Sequence, residues 1–173
     1  AIPLSRDDRV VILTRDDVSY LDSREVRSVV TGGAKPAPGC EALQLLAELA
    51  NSERAARFLK AYSAENAKTS ATARTDVDTD RCPPLFKAAP RALQYLLEES
   101  TAVYGEVRRP GLYPIARGTS LQTLIDSAGG LSNEADRGNI EFVSYAEALL
   151  TGQSSYRTLN LGDASAQNLA VNP

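Results

Sequence analysis

Four residues around one turn carry the densest chemistry in the chain. Tyr104, Arg108, Arg109 and Tyr113 flank the dipeptide Pro110-Gly111. Tyrosine rings stack on sugars, and guanidinium groups bond hydroxyls or acidic groups, so the cluster reads in one of two ways. It is either a carbohydrate-contacting edge or a solvated hairpin tip whose tyrosines pack on a helix, and the second reading is preferred. Asp76, Asp78 and Asp80 alternate in a manner that invites calcium. A calcium loop of the helix-loop-helix kind needs a glycine at its sixth place and a glutamate at its twelfth, and counting from Asp76 those places hold Arg81 and Lys87. An ordinary acidic loop is expected there. Asp7-Asp8 and Glu98-Glu99 are adjacent carboxylates, and neighbours on a helix point apart rather than forming an acid/base pair.

Other chemistry is excluded by what is missing. The sequence has no histidine, which removes the commonest general base and the commonest metal ligand. A Ser-His-Asp triad cannot form, and neither a nucleophile-elbow motif nor a Gly-rich or Lys-containing phosphate loop occurs. Cys40 and Cys82 are the only thiols, too few for a structural zinc site. No catalytic residue, cofactor or metal is therefore expected. A net charge of −3 argues against a surface built to neutralise phosphates, so no nucleic-acid partner is expected. With 173 residues, 43% hydrophobic and 24% charged, the composition is that of a folded globular chain. No apolar run is long enough to span a bilayer as a helix. The chain contains no methionine, so it is expected to be a processed chain or a fragment, with membrane contact only through parts outside it.

The elements that would position these residues follow from patterning. Residues 9–13 form a β-branched run and read as a strand. Asp22 and Glu25 suggest a cap for a short helix with Val26, Val29 and Val30 on one face. Residues 31–39 are rich in glycine and proline and read as a linker. Ala42, Leu45, Leu46, Leu49 and Ala50 repeat at helical spacing, as do Ala55, Phe58, Leu59 and Tyr62, predicting two amphipathic helices. Residues 65–81 read as a surface loop, and a third helix is predicted from Pro90 with Leu93, Leu96 and Leu97 inward. Residues 103–107 and 111–115 read as strands joined by Arg108-Arg109-Pro110-Gly111. Thr119 and Gln122 suggest a capping box for a helix that Gly129-Gly130 ends. Residues 140–145 and 156–161 read as two further strands.

The segment from Val103 to Pro114, followed by Gly118 to Leu131, resembles an SLBB domain, a soluble ligand-binding β-grasp. The matching elements are Tyr104-Gly105, the basic turn Arg108-Arg109-Pro110-Gly111, Tyr113, and Ala-Gly129-Gly130. Each has a mechanical reason: Pro110 and Gly111 hold the turn, Gly105 suits a close approach of backbone, and Gly129-Gly130 lets the chain leave the helix. The resemblance implies an α+β fold, a β-grasp preceded by a helical insert. It implies three parts. Residues 1–31 would be the terminal strand and short helix of a preceding SLBB unit, 32–100 a helical insert or linker, and 101–173 the SLBB β-grasp lacking its last strand. The run at 9–13 would fill the vacant place in the sheet of 101–173, within the chain or in a neighbouring copy.

SLBB domains occur in outer-membrane polysaccharide export proteins of the Wza type, in DNA-uptake receptors and in the flavin subunit of respiratory NADH dehydrogenase. The opening Pro3 to Leu13 is similar to the closing strand of another SLBB unit, which favours the export family. The resemblance then implies a non-enzymatic segment in the periplasm of a Gram-negative bacterium, forming part of a ring wall. Its partners would be copies of itself, the polysaccharide polymer and an inner-membrane polysaccharide copolymerase. Cys40 and Cys82 are either isolated buried thiols or a disulfide closing the insert. The oxidising periplasm implied by the resemblance favours the disulfide, which on the chain-entropy view contributes about 4 kcal/mol.

Overall fold

Thr14 opens the first helix by a reciprocal cap. Its hydroxyl accepts from the Asp17 amide, while Asp17 Oδ2 accepts from the Thr14 amide at 2.8 Å and from its hydroxyl at 2.7 Å. The structure, a computed structural model, describes residues 10–32, 35–36, 38–50, 82–144 and 155–173. It is a mixed fold of helices and strands. Helix α1 spans Arg15–Leu21, α2 Arg24–Val30, α3 Glu41–Ala50, α4 Pro84–Ala88 and α5 Arg91–Glu98.

The cap of α2 is Ser23, whose Oγ accepts from the Val26 amide at 3.3 Å, rather than the expected Asp22. Asp22 instead closes α1, and its carboxylate is taken by Arg27. The expected inward face Val26, Val29 and Val30 is buried. In α3 the buried residues are Ala42, Leu43 and Leu46, with Leu45 and Leu49 only half-buried. The correction has a packing cause: α3 lies against both α2 and α5, so its contact arc is wider than one stripe and turns toward Leu43.

Cys40, just before α3, and Cys82, just before α4, form a disulfide with their Cα atoms 5.4 Å apart. Both are buried in the helical core. Phe86 is at the centre of that core, fully buried, with its ring stacked on Tyr20 at a centroid distance of 5.5 Å. Residues on either side of position 31 share this one core.

Among the described residues six strands follow: β1 Ser100–Val103, β2 Gly111–Pro114, β3 Thr119–Ser120, β4 Ile140–Ser144, β5 Ser155–Leu159 and β6 Ala170–Val171. They form three antiparallel two-stranded ladders, β1 with β2, β3 with β6 and β4 with β5. Helix α6 (Leu121–Ser127) follows β3, and the short α7 (Ala164–Gln167) precedes β6. Ser120, not Thr119, caps α6, its Oγ accepting from the Thr123 amide at 3.1 Å. Thr119 Oγ1 donates to the Ala116 carbonyl, and Gln122 bonds Asp126.

The β1–β2 ribbon is a wall between two cores. Alternate residues of a strand face opposite sides, and Ala102 and Leu112 join the helical core. Their neighbours Val103 and Tyr113 pack on a second core built from Leu121, Leu124, Ile125, Leu161 and Val171. One four-residue ladder thereby joins the helical part to the part that follows it.

The described part of the run at 9–13 is not a strand. Residues 10–13 pair with none of the described strands of 101–173, and Val10, Val11 and Ile12 are exposed. They lead directly into the Thr14 cap, which places them on the surface. The residues from 169 onward contribute Ala170–Val171 as a short strand against Thr119–Ser120. The second predicted amphipathic helix at 55–62, the loop at 65–81 with Asp76, Asp78 and Asp80, and residues 1–9 lie outside the described residues.

Candidate functional site

The motif hairpin is wider than its Pro-Gly turn suggests. Val103 pairs with Gly111, so residues 104–110 form the connection. The predicted strand at 103–107 continues elsewhere, because its amides and carbonyls find partners on the chain leaving α6. Val107 bridges Leu131, the Arg108 amide donates to Gly130 O at 3.0 Å, and the Arg109 amide donates to Ala128 O at 3.0 Å. The Ser132 amide completes this seam on Glu106 O at 2.9 Å. The basic turn and the Gly-Gly end of α6 are thus one backbone-bonded unit.

Gly129 shows why glycine is needed in that seam. It has φ +85, and a Cβ there would lie 3.2 Å from Arg109 Nε and 3.3 Å from Arg108 Cβ. Gly130, with φ +84, donates its amide to Ile125 O at 2.9 Å and ends the helix as expected. Gly105 is explained differently from the close approach expected of it. A Cβ at that position would meet nothing within 4 Å, and its φ of +88 is the reason for glycine.

The four side chains of the expected sugar edge go to separate places. Arg108 is exposed. Arg109 Nη2 donates to Ser127 O at 3.2 Å, placing a cation on the negative end of α6. The Tyr113 hydroxyl donates to Arg109 O at 2.6 Å, and its ring packs on the second core. Tyr104 is half-buried and reaches the helical part, where its hydroxyl lies 3.4 Å from both Asp22 Oδ1 and Arg27 Nη2. Both tyrosines and both arginines are therefore not gathered on one exposed face.

Asp22 and Arg27 form a close ion pair, with Arg27 Nε and Nη2 at 2.8 and 2.5 Å from Asp22 Oδ1. Burial raises the Asp22 carboxyl above its ordinary value, while Arg27 and the Tyr104 hydroxyl oppose the rise. Burial, and then the Asp22 charge, push the Tyr104 phenol far up. Nothing in the sequence near Tyr104 announces this partner, although Thr14-x-x-Asp17 did announce the missed helix α1.

A second feature lies beside α6. A depression of about 160 Å³ is lined by Gln122, Ile125, Asp126, Leu131, Arg137 and Gln167, among others. Among the described residues, no group of three or more His, Cys, Asp or Glu side chains is placed to hold a metal ion, and no helix is long and apolar enough to cross a membrane.

Residues 101–149 match the family model described as the SLBB domain, and the chain carries an SLBB domain there. That stretch contains all of the β1–β2 ribbon but Ser100, the basic turn, α6 and the Gly-Gly seam. No curated protein and no solved structure matches the chain.

Proposed function

We propose that this chain is a non-enzymatic periplasmic segment of an outer-membrane polysaccharide export protein, forming part of an oligomeric ring wall through which the polymer passes. The observation that carries the reading is an SLBB domain joined by a shared β-ribbon to a helical part clasped by a buried disulfide. A disulfide persists in an oxidising compartment, which fits the periplasm of a Gram-negative bacterium. The motif side chains hold the backbone together rather than converging on one reactive centre, which suits a structural role. We read the strands on either side of α6 as a β-grasp that packs against copies of itself. Ring closure by such copies uses surface spread over many residues. The polymer and an inner-membrane copolymerase are the remaining partners of this reading.

The test is genetic. Deleting the parent gene is expected to abolish cell-surface or secreted polysaccharide, with recovery on return of the intact gene. Unchanged export in a strain with no second exporter overturns the reading.

A further inference from the structure

The depression beside α6 combines groups that ordinary surface does not collect. Its lining includes three apolar side chains, Ile125 and Leu161 buried and Leu131 half-buried. Its rim carries two amides held in place: Gln122 Nε2 donates to Asp126 Oδ1 at 2.8 Å, and Gln167 Nε2 donates to Leu161 O at 2.7 Å. Among the described residues, the side-chain carbonyl oxygens of these glutamines accept no hydrogen bond. Arg137 completes the rim, and among the described residues its guanidinium has neither an ion pair nor a side-chain hydrogen bond. An exposed arginine needs no partner in itself. Its place in one lining with Leu131 and two held amides is what makes a site.

We propose that this depression binds a single saccharide ring bearing a carboxylate, a uronic acid unit being the simplest example. A guanidinium pairs with a carboxylate through two parallel hydrogen bonds. The amide oxygens accept from ring hydroxyls, and the C–H face of the ring lies on Leu131. Asp126 repels the ligand's own carboxylate, so that charge is held at Arg137. At about 160 Å³ the space falls below the roughly 300–1,000 Å³ of sites for larger ligands, which limits it to one ring. The proposal rests on the export reading, which supplies a polysaccharide as the source of the ring.

The test is a titration of the 173-residue chain followed by amide NMR shifts. Glucuronate is expected to move the Gly130 and Leu131 backbone signals and the Gln122 and Gln167 side-chain amides, with a Kd on the order of 1 mM. Glucose is expected to bind about tenfold or more weakly, and Arg137→Gln to weaken glucuronate binding by about tenfold or more with its spectrum otherwise folded. No shift with glucuronate, equal binding of glucose, or equal binding by Arg137→Gln overturns the site. A glucuronate-containing oligosaccharide that binds more tightly than the monomer identifies a polymer unit as the ligand, whereas equal affinity identifies the free sugar acid. Lost export in the gene deletion without glucuronate binding removes this site alone. Binding with export unchanged removes the export reading and leaves the site.

Discussion

The Tyr104 hydroxyl lies 3.4 Å from Asp22 Oδ1, across 82 residues of sequence. Arg27 holds the same carboxylate oxygen, so one SLBB motif residue closes onto an ion pair of the helical part. The contact sits where β2 begins, and a Cβ on Gly111 would be 3.8 Å from Asp22 Oδ2.

Removing either partner is expected to loosen that junction. Tyr104→Phe should lower stability by about 0.5–1.5 kcal/mol, the net value of one hydrogen bond. Asp22→Ala removes the carboxylate that Arg27 holds and should lose about 1–3 kcal/mol, reduced from the fully buried case because both side chains retain some exposure. Urea unfolding of both single variants and the double variant measures the coupling, expected at about 0.5 kcal/mol or more. Strict additivity would show that the two residues do not interact.

The same carboxylate sets a pH dependence. Asp22 is raised above its ordinary 3.8 in the folded chain, so the folded state binds that proton more tightly than the unfolded one. Its contribution is fully present below 3.8 and is lost as pH rises through the folded value. Relative to Asp22→Asn, the wild type should therefore gain stability as the solution is acidified across the window just above 3.8. Denaturation curves at a series of pH values report it, and a wild type that loses stability relative to Asp22→Asn on acidification would contradict the assignment.

Two phenols should resist alkali. Tyr20 is pushed up from 10.0 to about 12 by burial and by Glu25, and Tyr104 is raised further by burial and Asp22. Their contribution to stability is present below 10.0 and is lost as pH rises through their folded values. In a tyrosinate absorbance titration, Tyr20→Phe and Tyr104→Phe should each remove a late-titrating group. If either variant removes a group titrating near 10, that ring is exposed and its placement is wrong.

The disulfide closes a separation of 42 residues, with both sulfurs in the helical core. Replacing both cysteines by alanine should lower the unfolding free energy by about 2–4 kcal/mol. Thermal and urea unfolding of the variant measure the effect. The loss should appear first in signals from α3 and α4, with the second core following through the β1–β2 wall.

The glycines ending α6 should differ in tolerance. Gly129→Ala meets both an unfavourable φ and the Arg108 and Arg109 side chains, whereas Gly130→Ala meets the φ alone. Each should lose about 1–2 kcal/mol from backbone strain, with Gly129→Ala the larger of the two. Equal losses would mean that the arginine side chains move aside freely.

Local pattern made much of this legible. Val26, Val29 and Val30, the helix after Pro90, and the Gly129-Gly130 exit each depend on neighbours within two turns, so spacing alone identified them. The same holds for the motif that carries the SLBB domain. For the cysteines, the residues alone left free thiols and a disulfide open, because pairing depends on where the chain folds back; the family resemblance favoured the disulfide, and the structure has it. The run at 10–13 has the composition of a strand, yet strand formation needs an edge, and the described chain brings none to it.

What only the tertiary structure decided is which face meets which partner. The buried face of α3 turned toward Leu43 because two helices flank it. The hairpin alternates Ala102 and Leu112 toward one core and Val103 and Tyr113 toward the other. Residue type announces that a tyrosine is amphipathic, but not that Tyr104 will meet Asp22 or that Tyr113 will meet Arg109 O. The physical reason is range. Helix caps and turns are settled within a few residues, whereas cross-chain hydrogen bonds are chosen by the packing of two cores against one ribbon.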